Sequence, residues 1–296
     1  MLNNAGLAYK DAFKLDSAKI FFNQAININP SIFSAYINLG WLYRQQRKYD
    51  SAKYVFKNGV ETNPMNADMA NNLIMLYTYL NEFDSAKIYY QKNVDLYPGN
   101  PTMLNNFGNF YFTIKNYDSA ITTYKKALAA DPEYAISYHN LGAVYNEVND
   151  YDSAIYFYAK AIALDSGYVN AYFNMGLSYF NYEKVDSAIK YFRKAVQLNP
   201  RQDYYYYFLA CSYALNKQPQ ESLHNLQTAL EKGYKDFYEV LHDEDLKSIR
   251  TTKEYEQLVK KYVPQKFIDQ MNEEKKALQN TKQSTTVIDE KKGKKG

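Results

Sequence analysis

The stretch from Tyr36 to Pro64, YINLGWLYRQQRKYDSAKYVFKNGVETNP, carries the pattern that decides the fold. Its first half places bulky apolar side chains three and four residues apart, which puts them on one face of a helix. Asp50 and Ser51 open a second apolar series, where a carboxylate and a hydroxyl can satisfy the free N–H groups of a helix start. Pro64 ends that second helix, because proline lacks the N–H group that a further turn requires. The stretch therefore predicts two helices joined by a short turn.

The same pattern returns along the chain at a constant step of 34 residues. The tetrapeptides Asp-Ser-Ala-Lys and Asp-Ser-Ala-Ile begin at Asp16, Asp50, Asp84, Asp118, Asp152 and Asp186. Ser222 stands where the alanine of a seventh unit is expected. A phase-locked period of this length indicates a solenoid, in which each helix pair buries its apolar face on the next pair. We therefore predict an all-α solenoid of about seven helix-turn-helix repeats.

These recurring residues resemble the tetratricopeptide repeat family. The shared positions of the second unit are Tyr36, Leu39, Gly40, Tyr43, Ala52, Phe56 and Pro64. In the sixth unit they return as Tyr172, Met175, Gly176, Tyr179, Ala188, Phe192 and Pro200. The resemblance covers residues 1–236 and implies a right-handed superhelix with a concave groove. Gly40 and Ala52 are expected to be small because two helices cross closely there, and Ile74 departs from this pattern in the third unit.

The period fails beyond Gly233. Short amphipathic segments within residues 237–263 predict capping helices over the open end of the stack, since a solenoid needs a polar terminal cap. The segment from Ala229 to Tyr234 resembles the closing segment of many bacterial repeat proteins. Residues 264–296 are charged and end in a lysine-rich run, so we predict a largely disordered tail there.

The other end of the array has a different expectation. The first repeat starts about two residues inside its first helix, so it lacks its helix start. Leu2, Ala5 and Tyr9 would then present apolar surface. Two explanations stay open: the chain continues a longer protein, or this uncapped repeat pairs with another chain, including self-association.

Composition excludes several classes of partner. The net charge of +3 resides in the segment after Pro264, which leaves a neutral body without the basic face that nucleic acid requires. The chain contains no run of apolar residues long enough to span a membrane, and Met1 is not followed by a secretory signal. Its single cysteine, Cys211, suits a reducing compartment. We therefore predict a cytoplasmic protein that binds no nucleic acid.

Catalytic, metal and cofactor sites are not predicted. His139, His224 and His242 have no metal-ligand spacing with one another or with Cys211. No glycine-rich phosphate loop is found. We expect His139 to line the groove as a polar residue and Cys211 to be a small buried hydrophobe. The chain is therefore predicted not to be an enzyme.

The candidate binding site is a series of asparagines, each two residues before the small residue of a first helix. Its members are Asn4, Asn38, Asn72, Asn106, Asn140 and Asn174. In the family's geometry this position faces the groove, and an amide matches the N–H and C=O groups of an extended peptide. This asparagine ladder is similar to the one in the repeat domain of O-linked N-acetylglucosamine transferases. Asparagine is also the commonest residue of the family at this position, so inherited consensus remains an alternative.

The ladder stops at Phe208, where Tyr204 and Tyr207 place further aromatic rings near the C-terminal end of the groove. These rings either anchor an apolar side chain of a ligand or pack against the capping helices. The carboxylate clamp of some family members needs lysine just before the ladder position. This chain has Asn3, Ile37, Asn71, Asn105, His139 and Phe173 there, so chaperone tails are not expected partners.

We predict a protein–protein interaction scaffold that binds an extended peptide or a partner protein in its concave groove. The alternative is an assembly or regulatory segment of a larger protein, including a glycosyltransferase-like enzyme, whose other domains lie upstream. We expect the ladder amides Asn106 and Asn140 to face solvent, so that their replacement would weaken binding and leave the fold intact.

Overall fold

A computed structural model describes residues 1–274 and residue 276, and every regular element within them is helical. Fourteen α-helices form seven consecutive pairs. Their bounds are α1 Leu2–Asp11, α2 Leu15–Ile28, α3 Phe33–Gln45, α4 Tyr49–Thr62, α5 Ala67–Tyr79, α6 Phe83–Leu96, α7 Pro101–Thr113, α8 Tyr117–Ala130, α9 Ala135–Glu147, α10 Tyr151–Leu164, α11 Val169–Asn181, α12 Val185–Leu198, α13 Asp203–Leu215 and α14 Pro219–Glu231. The predicted all-α repeat fold is confirmed. The superhelical hand, the concave groove and the domain limits stay predictions.

The chain divides into two compact units, Met1–Val144 and Tyr145–Gly296. Within the first unit, α1 to α8 contact one another in chain order, and the first helices α1, α3 and α5 also contact each other in succession. Within the second unit, α10 to α14 again contact one another in chain order. Helices that neighbour in sequence therefore neighbour in space, as a solenoid requires.

Each first helix ends in a turn with one residue in the left-handed region. In the second pair this residue is Arg47, with φ 58°, and the N–H of Lys48 donates to the carbonyl of Tyr43 at 2.9 Å. This bond closes the last helical turn and satisfies a carbonyl that has no helical partner. The six other pairs place Phe13, Asn81, Lys115, Asn149, Glu183 and Lys217 at the same position with φ between 58° and 62°.

The expectation for the start of the second helices is only partly right. Asp50 lies in the first turn of α4 and pairs with Lys53 at 3.2 Å, but no side chain caps this helix. In α8 and α10 the caps are Asn116 and Asp150, which lie two residues before the repeated aspartate. The aspartate therefore contributes charge at the positive end of the helix dipole, and a preceding residue supplies the cap where one exists.

The close crossing predicted at Gly40 is present. A Cβ atom at Gly40 would lie 2.4 Å from the ring of Phe56, which is fully buried. In the third pair Ile74 occupies this position, and the ring equivalent to Phe56 belongs to Tyr90. Tyr90 packs instead against Phe107, with ring centroids 5.3 Å apart. The larger side chain is therefore accommodated by a different packing partner for the aromatic ring.

Short helices follow α14, in the region where capping helices are predicted: α15 Phe237–His242, a 3₁₀ helix Glu244–Leu246, and α16 Lys253–Tyr262. The 3₁₀ helix contacts α13, and α16 contacts α14. Val240, Leu246 and Ile249 are fully buried in the cluster that these contacts form. Apolar area removed from water is what stabilises such a cover.

The structure adds a helix at residues 265–274, within the part of the chain assigned to the tail. Phe267, Ile268 and Met271 pack against the cluster under the capping helices, and Phe267 lies 5.4 Å from Phe237 between ring centroids. Their spacing of one, three and four residues places them on one helical face. Residue 275 and residues 277–296, where the rest of the predicted disorder falls, lie outside the described residues.

Candidate functional site

The asparagine ladder lies on the first helix of each pair. In the first unit Asn4 is exposed, whereas the other four members are half-buried, namely Asn38, Asn72, Asn106 and Asn140. Because α1, α3 and α5 contact each other in succession, at least the first three members stand on adjacent helices. The first helices of this unit therefore present a row of amides at one register.

Two members of this row donate hydrogen bonds to asparagines of the preceding repeat. The Nδ2 group of Asn38 donates to Oδ1 of Asn3 at 3.0 Å. The Nδ2 group of Asn140 donates to Oδ1 of Asn105 at 2.9 Å and to Oδ1 of Asn109 at 3.0 Å. The expectation that Asn140 faces solvent freely is therefore wrong, because asparagines of the previous repeat supply acceptors for both of its N–H groups.

Asn105 is the centre of this amide network. It is 3% exposed and also accepts a hydrogen bond from the Ser137 hydroxyl at 3.0 Å. A related pair joins the two helices of the third repeat, where Asn93 donates to Asn71 at 3.2 Å. A buried amide is stable only when its polar atoms are paired, so these bonds fix the register between helices.

Asn4 and Asn106 differ from the other members of the first unit. Neither side chain forms a hydrogen bond with another residue in the described part of the chain. Asn106 is half-buried on α7, so its amide is held near the surface with its donors and its acceptor available. These two amides fit the requirement for pairing with a peptide backbone.

Asn72 is used in a third way. Its Oδ1 accepts from the indole N–H of Trp41 at 2.6 Å, and its Nδ2 donates to the carbonyl of Asp68 at 2.7 Å. Arg44 lies over the Trp41 ring and over the Tyr79 ring. This aromatic and cationic cluster was not predicted from the sequence. The sequence feature that could have indicated it is Trp41, the only tryptophan of the chain, which lies three residues after Asn38 and three residues before Arg44.

In the second unit the ladder has one member, Asn174. It is half-buried on α11 and is hydrogen-bonded to the phenol of Tyr158, whose pKa is raised mainly by burial. The Tyr158 side chain is 1% exposed. This amide therefore satisfies a buried hydroxyl, and its exposed part is what remains for a ligand.

The two tyrosines at the end of the ladder have different environments. Tyr207 is 4% exposed, donates its hydroxyl to Oδ2 of Asp243 at 2.7 Å, and stacks on Tyr234 with centroids 4.4 Å apart. Tyr207, on α13, is therefore covered by the segment that follows α14 and is not accessible to a groove ligand. Tyr204 is half-buried and meets Phe173 edge to face at 5.0 Å. Packing against the capping helices, the alternative left open by the sequence, describes Tyr207.

Cys211 is buried as expected, whereas the groove-lining role of His139 stays a prediction. Cys211 is 1% exposed, and burial raises the pKa of its thiol. A thiol of this kind is a poor nucleophile, because the thiolate is the reactive form. His139 is half-buried on α9, and burial lowers the pKa of its imidazole. Its Nδ1 lies 3.2 Å from Oδ1 of Asn140.

Over residues 1–274, no group of three or more His, Cys, Asp or Glu side chains is placed to hold a metal ion. In the same part of the chain, no helix combines the length and the apolar character needed to cross a membrane.

Four profiles described as tetratricopeptide repeat match the chain, at residues 1–32, 21–54, 99–167 and 169–202. Together they cover more than half of its length. Among curated proteins, none matches the chain closely enough to count as a relative.

Several solved structures are similar to this chain. A tetratricopeptide repeat protein from Parabacteroides merdae is 19% identical, with a TM-score of 0.59 over 84% of this chain and 98% of that one. PilF from Pseudomonas aeruginosa is 19% identical, with a TM-score of 0.55 over 77% and 97%. MamA is 28% identical, with a TM-score of 0.50 over 55% and 95%. At these identities the first two matches concern the fold alone.

Proposed function

Because the chain belongs to the tetratricopeptide repeat family, we propose that it is a protein-interaction scaffold that binds an extended peptide segment of a partner protein on the first helices of Met1–Val144. The family builds such surfaces from stacked helix pairs, and the partner varies from member to member. The chemistry of the surface therefore defines the kind of partner that it would hold.

The observation that carries the proposal is the free amide of Asn106. It stands at the same register as Asn4, whose side chain is also free, and both lie on first helices of one unit. An extended peptide presents N–H and C=O groups at regular intervals, so it can pair with amides repeated along a stack. Each such bond contributes about 1 kcal/mol net, so the ladder gives modest affinity without selecting side chains.

The other ladder members have a supporting role in this proposal. Asn38 and Asn140 donate to the preceding repeat, and Asn72 holds Trp41. They keep the row in register and leave fewer groups for a ligand. For these members, asparagine is explained by its role between repeats or as the common residue of the family. Contacts with the peptide are therefore assigned to Asn4 and Asn106.

The test begins with selection of displayed random peptides on the purified chain. Selected peptides should bind Asn106→Ala about fivefold more weakly than wild type, which corresponds to one lost hydrogen bond. Affinity is measured by fluorescence anisotropy of the labelled peptide. The matched control is Asn23→Ala on α2, an exposed asparagine of a second helix, which should bind as wild type does. Selected peptides that bind Asn106→Ala and wild type equally would refute the assignment.

A further inference from the structure

The single tryptophan of the chain belongs to an arginine cluster on adjacent first helices. The guanidinium carbon of Arg44 lies 4.7 Å from the centroid of the Trp41 ring and 4.6 Å from the centroid of the Tyr79 ring. Trp41 and Arg44 are on α3, and Tyr79 ends α5. Attraction between a cation and the face of an aromatic ring stabilises such an arrangement.

Hydrogen bonds hold both rings in place. The Trp41 indole donates to Asn72 at 2.6 Å, and Asn72 in turn donates to the backbone of Asp68 at 2.7 Å. The Tyr79 hydroxyl lies 3.4 Å from the hydroxyl of Tyr49, whose ring is 5.8 Å away. The rings are therefore positioned before any ligand arrives, which lowers the entropic cost of binding.

Arg44 has no acidic partner among the residues that the structure describes. No carboxylate oxygen lies within 4.0 Å of its guanidinium among residues 1–274, although the side chain is half-buried. Ring stacking uses the face of the guanidinium and leaves the N–H groups at its edge for hydrogen bonds. A half-buried cation with two rings in contact and free donors is complementary to a carboxylate.

Exposed apolar surface lies on the face of α5 that carries Tyr79. Met75 is 57% exposed and Tyr79 is 54% exposed. They lie three and seven residues after Asn72, so all three side chains are on one face of α5. Arginine, tyrosine and tryptophan are also the residues most enriched among those that dominate interface energies.

We propose that Trp41, Arg44 and Tyr79 form a subsite for the side-chain carboxylate of an aspartate or glutamate within the bound peptide, with Met75 contacting an apolar neighbour of that residue. The subsite rests on the proposed peptide-binding function and adds side-chain selectivity to it. It differs from the carboxylate clamp, which uses the position just before the ladder, because Arg44 lies six residues after Asn38.

The order of the helices indicates an internal residue of the ligand. The free amide of Asn4 lies on α1, before the subsite on α3 and α5, and that of Asn106 lies on α7, after it. A peptide that pairs with both amides continues past Arg44 in both directions. An extended peptide of about ten residues reaches about 33 Å, which suffices for three helix spacings of about 10 Å.

The probes are four pools of synthetic peptides about ten residues long. Three pools are acetylated and amidated and carry Glu-Leu, Gln-Leu or Lys-Leu at the centre, with small polar residues elsewhere. The fourth carries Gln-Leu near a free C-terminal carboxylate. Because Trp41 is the only tryptophan, each change in indole fluorescence reports on the subsite.

We expect the Glu-Leu pool to bind about tenfold more tightly than the Gln-Leu pool, with a change in Trp41 emission. Arg44→Gln should remove this preference, and Arg44→Lys should retain part of it, because lysine keeps the charge and loses the planar fork. Arg47→Gln, at an exposed arginine three residues away, is the matched control and should keep the full preference. Circular dichroism of each variant checks that the helices are intact.

Three results would overturn the subsite. Equal binding of the Glu-Leu and Gln-Leu pools to wild type would exclude it while leaving peptide binding intact. Tightest binding of the pool with the free C-terminus would assign the carboxylate to a chain end instead of a side chain. If no pool binds, and if the selection of displayed peptides on the purified chain also yields no peptide whose binding depends on Asn106, both the subsite and the proposed function would be rejected.

Discussion

The first helices of the two units share one repeat frame and differ in what lines it. At the position just before the ladder, Met1–Val144 has three asparagines besides Ile37 and His139, and the most buried of the asparagines is Asn105, which accepts hydrogen bonds from Ser137 and Asn140. At the same position Tyr145–Gly296 has Phe173 and Tyr207, which are 7% and 4% exposed. The helices are alike, whereas one lining is mostly polar and the other is aromatic.

This difference separates two ways of holding adjacent repeats together. Amide pairs contribute about 1 kcal/mol each and leave polar groups near the surface. Aromatic rings contribute through buried area and pairwise ring contacts, and they need a cover that excludes water. The first lining therefore suits a surface that a ligand can share, and the second suits the closed end of a stack.

The largest expected effect is at the cover. Asp243 accepts the Tyr207 hydroxyl at 2.7 Å and the N–H of Asp245 at 2.9 Å, and Arg250 donates to its backbone carbonyl. Asp243→Ala should lower the free energy of unfolding by about 3 kcal/mol, because a buried hydroxyl loses its charged acceptor. Urea denaturation followed by circular dichroism measures this loss.

Glu244→Ala is the control for Asp243→Ala. The Glu244 side chain is 75% exposed and pairs with Lys247 at 3.3 Å and, at the longer distance of 3.8 Å, with Arg250, so its removal should change the unfolding free energy by less than about 0.5 kcal/mol. If both variants lose the same small amount, the aromatic lining does not depend on the carboxylate. The difference between the closed aromatic end of the second unit and the open amide surface of the first unit would then not be explained by Asp243.

The second effect tests the amide lining within one unit. Asn140→Ala removes hydrogen bonds to Asn105 and Asn109 and should destabilise the chain by about 2 kcal/mol. Asn106→Ala, at the same register with a free side chain, should change stability by less than about 0.5 kcal/mol. Thermal and urea denaturation of the pair give the comparison. Equal losses would mean that every ladder member is structural.

Much of the fold could be predicted because the sequence repeats. A constant step predicts each helix pair, and Gly40 opposite Phe56 has the small residue that a close crossing requires. The short helices of the capping region were predicted from amphipathic segments, because the periodicity stops before them. The helix at residues 265–274 was missed, because three apolar side chains are a weak signal when the surrounding residues are charged.

The candidate site was harder to predict than the fold. The period places Asn106 and Asn140 at one register, and it cannot show that only Asn140 meets acceptors from the previous repeat. That difference depends on Asn109, a residue that varies between repeats. Likewise the contact of Arg44 with Tyr79 joins two helices and is not encoded in either helix alone. Pairing between variable positions is a property of the packed structure.

The smallest expected effect concerns acidification of His139, which ends the polar lining of the first unit at the position that Phe173 takes in the next repeat. Burial lowers the pKa of the His139 imidazole, so the folded state favours the neutral ring more than the unfolded chain does. The contribution of His139 to stability is complete above the unfolded pKa of about 6.5 and is lost as the pH falls from there toward the folded pKa.

The test compares wild type with His139→Gln. Carboxylates titrate in both proteins, so the difference between their pH dependences isolates the histidine. The urea midpoint of wild type should fall more between about pH 7.5 and about pH 5.5 than the urea midpoint of His139→Gln does. This extra fall should be smaller than the fall in urea midpoint that Asn140→Ala causes at constant pH. His224→Gln removes an exposed histidine of α14 and controls for the change of side chain. An identical pH dependence in wild type and His139→Gln would show that the imidazole is as well solvated as in the unfolded chain, and the polar lining would then end before α9.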